Sequence, residues 1–463
     1  MTELSRLPAS KLRRLMDTDE LSPTALVEAS LEQIERNNET LNAVVTLSET
    51  ALDEARALER HVATGGMRGP LYGLPVGIKD VTEVAGMRTT YGSPLYADNV
   101  PAEDALIVKR LREAGAIILG KTNTPEFAAG GNTFNDVFGR TRNPWDTALS
   151  AGGSTGGGAA ALATGMIAIA EGTDLGGSLR IPASFCGVVG LRPSPGLVPT
   201  YPTRYLWDNL QVTGTMGRTA EDIAMVLDAV SGASPLSPAV QSVTGREFAA
   251  AVRRGPPRSI RAAYVPDPVG LGIDPEVARV CREGVAALDG AGADVEEVEL
   301  DLSYGFDAFL ALRGYWMVAH QYRRLDRLDE LGDNVRGNVE SGLQTTVREL
   351  AAAEQARGRI WEEFRQLFQS YDHILTPCTA VPPFPVEHNY PESIAGREMG
   401  TYIDWIAPTF VLSLTGLPVA CVPAGLGTNG LPVGLQIVGR PRSEEAVLAL
   451  AGRIQELRPI GLP

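Results

Sequence analysis

Histidine and cysteine are scarce in this sequence, with four of each in 463 residues. The histidines (His61, His320, His373 and His388) stand alone, with no H-x-x-x-H or H-E-x-x-H spacing. That excludes the usual zinc-centre patterns, and neither a metal nor an organic cofactor is expected. Cys186, Cys281, Cys378 and Cys421 form no C-x-x-C pair and read as reduced, mostly buried thiols of a cytosolic protein. Positive charge is also in short supply: 41 Lys and Arg against 56 Asp and Glu leave a net charge of -15. This is the wrong sign for a phosphate-binding surface, so nucleic acid is not an expected partner. Long apolar runs are missing too. The most apolar one, Ala159 to Ala170, is interrupted by Thr164 and Gly165 and is too short for a bilayer. Met1 to Lys11 lacks the basic-then-apolar pattern of a signal peptide, so a cytoplasmic location without membrane attachment is expected.

What is present suits a large packed core: hydrophobic residues make up 44% and charged residues 21%. Ser22-Pro23 has the chemistry of a helix start, a capping hydroxyl followed by proline at the first position. Val27, Leu31 and Ile34 then share one helical face. Glu103 to Glu113 reads as a helix ended by Gly115, and Ala116 to Leu119 as a buried strand. The cadence recurs later. Asp274-Pro275 opens a helix carrying Val277, Val280, Cys281 and Leu288, glycines 290 and 292 close it, and Val295 to Val298 follows as a strand. Alternation of helices and short apolar strands predicts an α/β protein whose sheet is covered on both faces. Ser231 to Pro257 reads as a linker or surface excursion. Residues 301–372 are mainly helical, with Ile360, Phe364, Leu367 and Phe368 forming a core-facing stripe. Strands are expected near Val419 to Val422 and Gly434 to Val438. A last helix capped by Ser443 turns Val447, Leu450 and Ile454 inward.

One stretch departs from this background. Between Gly152 and Arg180 two glycine clusters, each holding a serine (Ser154 and Ser178), flank an apolar segment as long as about three helical turns. Glycine lets a ligand approach the main chain closely. Ser178, directly after Asp174-Leu175-Gly176-Gly177, would lie beside several free N–H groups able to hold an oxyanion. A serine hydroxyl needs a base, and no histidine lies near either cluster. Lysine serves when desolvation populates its neutral amine. Lys79 ends the apolar run Leu74-Pro75-Val76-Gly77-Ile78, which reads as an interior strand, so its amine should be buried and in need of polar partners.

The motifs G-L-P-V-G-I-K-D-V around Lys79, G-G-S-T-G-G around Ser154 and G-T-D-L-G-G-S-L-R-I-P-A-S-F-C-G around Ser178 resemble the amidase signature family in order and spacing. Further similarity extends outward, from L-R-E-A-G-A-I-I-L-G-K-T-N-T-P-E-F to L-P-V-G-L-Q-I-V-G-R-P, and so covers most of the chain. The resemblance implies one amidase signature domain over residues 1–463, with a signature core at about 70–220. Its fold would be a large, mixed, twisted β-sheet flanked by helices on both faces. It also implies roles. Ser178 would attack the carbonyl and become the acyl-enzyme. Ser154, preceded by a cis peptide bond, would relay the proton to Lys79 as base. The N–H groups of Leu175, Gly176, Gly177 and Ser178 would form the oxyanion hole. Gly130, Gly131, Tyr205 and Trp207 are candidate substrate contacts. Departures from the family pattern at Ala151, Thr155, Thr215 and Gly217 remove no catalytic group and bear on pocket shape. The implied partner is a small amide, carbamate or ester, and a homo-oligomer is compatible with the pattern.

Other readings stand beside this one. Gly152-Gly153-Ser154-Thr155-Gly156 also fits a nucleophile elbow with Ser154 as nucleophile and His373 or His388 as base, which leaves the second serine cluster unexplained. Lys79 also reads as a structural lysine paired with Asp80 or another carboxylate. Asp174 and Arg180 read as an ion pair bracing the Ser178 loop, and Cys186 as a core thiol. Tyr201, Tyr205, Trp207 and Trp405 read equally as an aromatic pocket or as packing, and His320 as packing or surface. Two rival functions are a glutamine-hydrolysing, A-type amidotransferase component that needs a partner, and a non-catalytic binding or scaffold protein.

Overall fold

A computed structural model describes residues 4–240 and 245–463. Eleven strands form one mixed sheet: β1 (Val44–Leu47), β2 (Pro75–Lys79), β3 (Ile117–Thr122), β4 (Ile169–Asp174), β5 (Val189–Arg192), β6 (Val212–Gly217), β7 (Arg261–Tyr264), β8 (Asp294–Glu297), β9 (His373–Pro377), β10 (Val419–Leu426) and β11 (Pro432–Gly439). Their spatial order is β1-β3-β2-β4-β6-β5-β10-β11-β9-β7-β8. β3, β2 and β4 run parallel, as do β9, β7 and β8, while the strands between β4 and β9 pair antiparallel.

Alternation along the strands builds cores on both faces. Val76, Ile78, Ile118, Leu435 and Ile437 point into one, with the helices Leu106–Glu113, Ala220–Val230, Pro275–Gly290 and Glu444–Leu457. Ile117, Leu119 and Ala170 point the other way, beneath the helix Gly156–Ala163. Val419 and Val438 meet a third cluster built by the helices Gly305–Gln321, Val347–Leu367 and Ala407–Ser413. The expected stripe belongs to this cluster, with Ile360 and Phe364 fully buried.

Element boundaries depart from expectation where side chains found other partners. The helix expected from Glu103 begins at Leu106. Asp104 instead accepts the N–H of Ala85 at 2.8 Å, which ties that segment to the loop after β2. Ser22 and Asp274 cap their helices through side-chain oxygens as expected. Ser443 does not: its hydroxyl donates to the Arg440 carbonyl at 2.8 Å, so the last helix starts without a side-chain cap. Of the expected linker Ser231–Pro257, residues 241–244 lie outside the described residues, and Phe248–Arg254 is a helix. No helix among the described residues is long and apolar enough to cross a membrane.

Candidate active site

Three chain segments meet at one end of β2, β3 and β4. Along β2, Val76 and Ile78 enter one core, so Lys79 must project to the opposite face with Gly77. There its ammonium group, fully buried, donates to Ser154 Oγ at 2.7 Å, Thr155 Oγ1 at 3.1 Å and Thr173 Oγ1 at 3.2 Å. Burial pulls this amine down to about 7 from an ordinary value near 10.5, and Glu171 and Asp174 oppose the pull. Asp80 is not its partner. That carboxylate faces the buried Lys121 at 3.7 Å and accepts the Thr90 N–H at 3.1 Å.

Ser154 follows a cis peptide bond from Gly153. The turn leads into the helix Gly156–Ala163, whose first residues pack against bare main chain: a Cβ on Gly157 would stand 2.3 Å from the Asn123 nitrogen. The same crowding explains Gly130 and Gly131. A Cβ on Gly153 would meet the Gly130 carbonyl oxygen at 2.8 Å, and one on Gly131 would meet the Trp405 indole at 2.6 Å. These two glycines therefore buttress the Gly153–Ser154 turn and do not line the cavity next to Ser178.

The loop after β4 carries Ser178, half-buried, behind Gly177 at φ +124°. Thr155 N–H donates to the Ser178 carbonyl at 3.2 Å and ties the two serine clusters together. Asp174 braces the loop. Its carboxylate accepts from Arg180 Nε at 3.0 Å and Nη2 at 2.9 Å, from Arg192 Nη1 at 3.3 Å, and from the N–H groups of Gly177 at 2.9 Å and Leu179 at 3.1 Å. Burial alone would raise the Asp174 carboxyl, but the two guanidinium groups hold it well below the usual carboxylate range. With the Gly177 N–H aimed at Asp174, the N–H groups of Leu175, Gly176 and Ser178 carry no hydrogen bond to protein among the described residues.

Ser154 and Ser178 open on a narrow recess walled by Phe127, Ala128, Gln211, Arg313 and Trp316. The recess shares Phe127, Ala128, Thr173, Gln211 and Trp316 with a cavity of about 220 Å³. Tyr91, Tyr96 and Tyr201 stand in the wall of that cavity, and His320 stacks on Trp316 with ring centroids 3.9 Å apart. Phe127 and Ala128 hold φ values of +45° and +59°, conformations that cost a non-glycine residue about 1–3 kcal/mol and persist only where the surroundings enforce them. Tyr205 lies in a neighbouring crevice against Tyr315, Trp207 is 70% exposed, and Trp405 is fully buried between Phe185 and Phe384. His373 and His388 are absent from the walls of the serine recess. Sequence reasoning missed Phe127, Gln211, Arg313 and Trp316, which come from distant segments. It also missed Glu171 and Thr173, which alternation along β4 puts on the face opposite Ala170, away from the side to which β2 sends Lys79.

Among the described residues no group of three His, Cys, Asp or Glu side chains could hold a metal ion. The fold class is that of the amidase signature enzymes. A bacterial aryl acylamidase of that family superposes with a TM-score of 0.90 at 27% identity, over 98% of this chain and 96% of that one. A 6-aminohexanoate cyclic dimer hydrolase gives 0.87 at 27% identity, over 98% of each chain. The Amidase family profile matches residues 25–448, and the chain belongs to that family. It is 35% identical to an acylamidase of Rhodococcus erythropolis across 99% of this chain and 97% of that protein. It is 34% identical to the A-type component of the glutamyl-tRNA(Gln) amidotransferase of Moorella thermoacetica, across 97% and 96%. As a member it is an enzyme that hydrolyses carbon–nitrogen bonds other than peptide bonds.

Proposed function

We propose that the protein hydrolyses a carboxamide, or a related carbamate or ester, through an acyl-enzyme on Ser178. Neutral Lys79 takes a proton from Ser154 as Ser154 takes one from Ser178, and the Ser178 oxygen attacks the carbonyl carbon. The developing oxyanion is held by the N–H groups of Leu175, Gly176 and Ser178; Gly177, committed to Asp174, shapes the loop. Collapse returns the proton through Ser154 to the leaving nitrogen, and water enters by the reverse route. The observation that carries this reading is the 2.7 Å contact between a fully buried lysine amine and Ser154, next to the half-buried Ser178. The aromatic wall of Tyr91, Tyr96, Phe127 and Trp316 favours an aryl or extended apolar group on the substrate. Labelling with a fluorophosphonate and locating the adduct by peptide mass spectrometry tests the assignment. The expected result is an adduct on Ser178 that is lost in Lys79→Ala. An adduct on Ser154 would overturn it.

The similarity to amidotransferase components supports a second reading, glutamine hydrolysis for a partner protein. The two readings separate on substrate. Turnover of anilides by the isolated chain supports the first, and release of ammonia from glutamine only with a partner supports the second.

A further inference from the structure

β2 and β4 run parallel but pair only through Val76 with Ile169 and Gly77 with Ala170. Beyond that point the acceptor for the Lys79 main-chain N–H is a side chain, Glu171 Oε2 at 3.1 Å. The other carboxylate oxygen accepts the Thr82 hydroxyl at 3.0 Å. Glu171 is fully buried. A main-chain carbonyl or an amide would satisfy the same N–H, whereas a buried carboxylate carries a large desolvation cost, so its charge calls for a use.

Few charges face Lys79. From β4 come Glu171 and Asp174, and Asp174 is already matched by Arg180 and Arg192. From β3 comes Lys121, which donates to the Thr82 carbonyl and to Thr89 Oγ1 and faces Asp80. The helix Gly156–Ala163 carries no charged residue, and the helix Pro23–Leu41 buries none. Glu171 is thus the anion left to act on the Lys79 amine.

We propose that Glu171 is a positioning residue that sets the basicity of Lys79, anchoring its main chain and supplying the countercharge for its ammonium form. The inference rests on the reading of Lys79 as general base. A lysine in this reaction must take a proton and then keep it long enough to return it to the leaving nitrogen. Burial favours the first half by populating the neutral amine, and a carboxylate in the same dry space favours the second. Burial also pushes the Glu171 carboxyl up to about 7, while the Thr82 hydroxyl, the Lys79 ammonium, the Lys79 N–H and the nearby Lys121 ammonium pull it back.

The test uses the full-length chain and the fluorophosphonate labelling rate between pH 5 and 10, for wild type, Glu171→Gln, Thr82→Val and Lys79→Ala. Glutamine keeps an acceptor for the Lys79 N–H but removes the charge, so the midpoint of the acidic limb should fall by about 1 pH unit, a roughly tenfold gain in neutral lysine on that side. Thr82→Val weakens the ionised carboxylate and should move the limb the same way by about half as much. A folded Glu171→Gln with the limb unmoved or raised overturns the inference. Should Glu171→Gln fail the folding check by circular dichroism, an unmoved limb in Thr82→Val overturns it instead. Wild-type labelling and pH dependence in Lys79→Ala would overturn the base assignment and the inference with it. Loss of labelling there, with Glu171→Gln unshifted, sinks only the inference.

Discussion

Replacing Asp174 by asparagine should destabilise the protein far more than a typical single substitution. The side chain keeps its size, but the site loses the carboxylate that pairs with two fully buried guanidinium groups. Five donors converge on that carboxylate between 2.9 and 3.3 Å. Asparagine offers one acceptor oxygen and turns an NH2 group toward donors. Removing one partner of a buried ion pair costs about 3–5 kcal/mol, because the remaining charge stays in the interior without compensation. Arg180 keeps its bonds to the Thr409 carbonyl, Gln436 and Ser413, so the lower half of that range is expected. Urea unfolding followed by tryptophan fluorescence at pH 7 measures the difference. The pH dependence supplies a second check. Asp174 has a folded pKa below its unfolded value, so its contribution is complete above the unfolded value of about 3.9 and is lost as pH falls toward the folded one. The gap between wild type and variant should therefore narrow below about pH 4. Labelling of Ser178 should drop as well, because the Gly177 and Leu179 N–H groups donate to different oxygens of Asp174 and asparagine keeps only one of them. A loss below about 1 kcal/mol at pH 7 would refute the account of Asp174 as the brace of the loop.

Labelling of Ser178 should rise with pH through a midpoint near 7, since burial lowers the Lys79 pKa and the reactive form is neutral; a profile flat from pH 5 to 10 would count against lysine as base. Gly131→Ala places a Cβ 2.6 Å from the Trp405 ring and should cost about 1–3 kcal/mol by overpacking, read as a lower unfolding midpoint; an unchanged midpoint would show that the ring gives way freely. Phe127→Ala removes the ring stacked on Tyr91 at 6.0 Å and should raise KM for aryl substrates about 5- to 30-fold, equivalent to about 1–2 kcal/mol, with kcat less affected; an unchanged KM would move the aryl site elsewhere. The four cysteines are buried and free, so a thiol reagent should modify none in the native protein and all four after denaturation; rapid native modification would contradict their burial.

Much of the fold was legible because it rests on local patterning. The apolar run before Lys79 is β2, the proline-opened helices begin at Pro23 and Pro275, and the strands near 419 and 434 extend from Val419 and Pro432. Where a side chain had a choice of partners, local pattern failed. Ser443 has a cap residue's chemistry, yet its hydroxyl turns back to Arg440. The apolar segment between the serine clusters divides at Gly165 into the end of a helix and the start of β4, and composition alone does not distinguish these. The aromatic residues behaved similarly. Trp405 and Trp207 look alike in sequence, but one is fully buried and the other 70% exposed.

By itself the sequence determined the chemistry available: two serines set among glycines, a lysine at the end of an interior strand, and an acid six residues before an arginine. Those facts depend on residue type, short spacing and the two-residue period of a strand, which a linear chain displays directly. Tertiary structure alone decided which groups touch. It brought Lys79 within 2.7 Å of Ser154, 75 positions away, and gave Asp174 a second guanidinium from Arg192. It left Glu171 as the buried anion at the end of the β2–β4 ladder, and it built the recess from Phe127, Gln211, Arg313 and Trp316. The physical reason is that burial and charge pairing depend on the order of strands in the sheet, and neighbours in that sheet are set by packing between segments far apart in the chain.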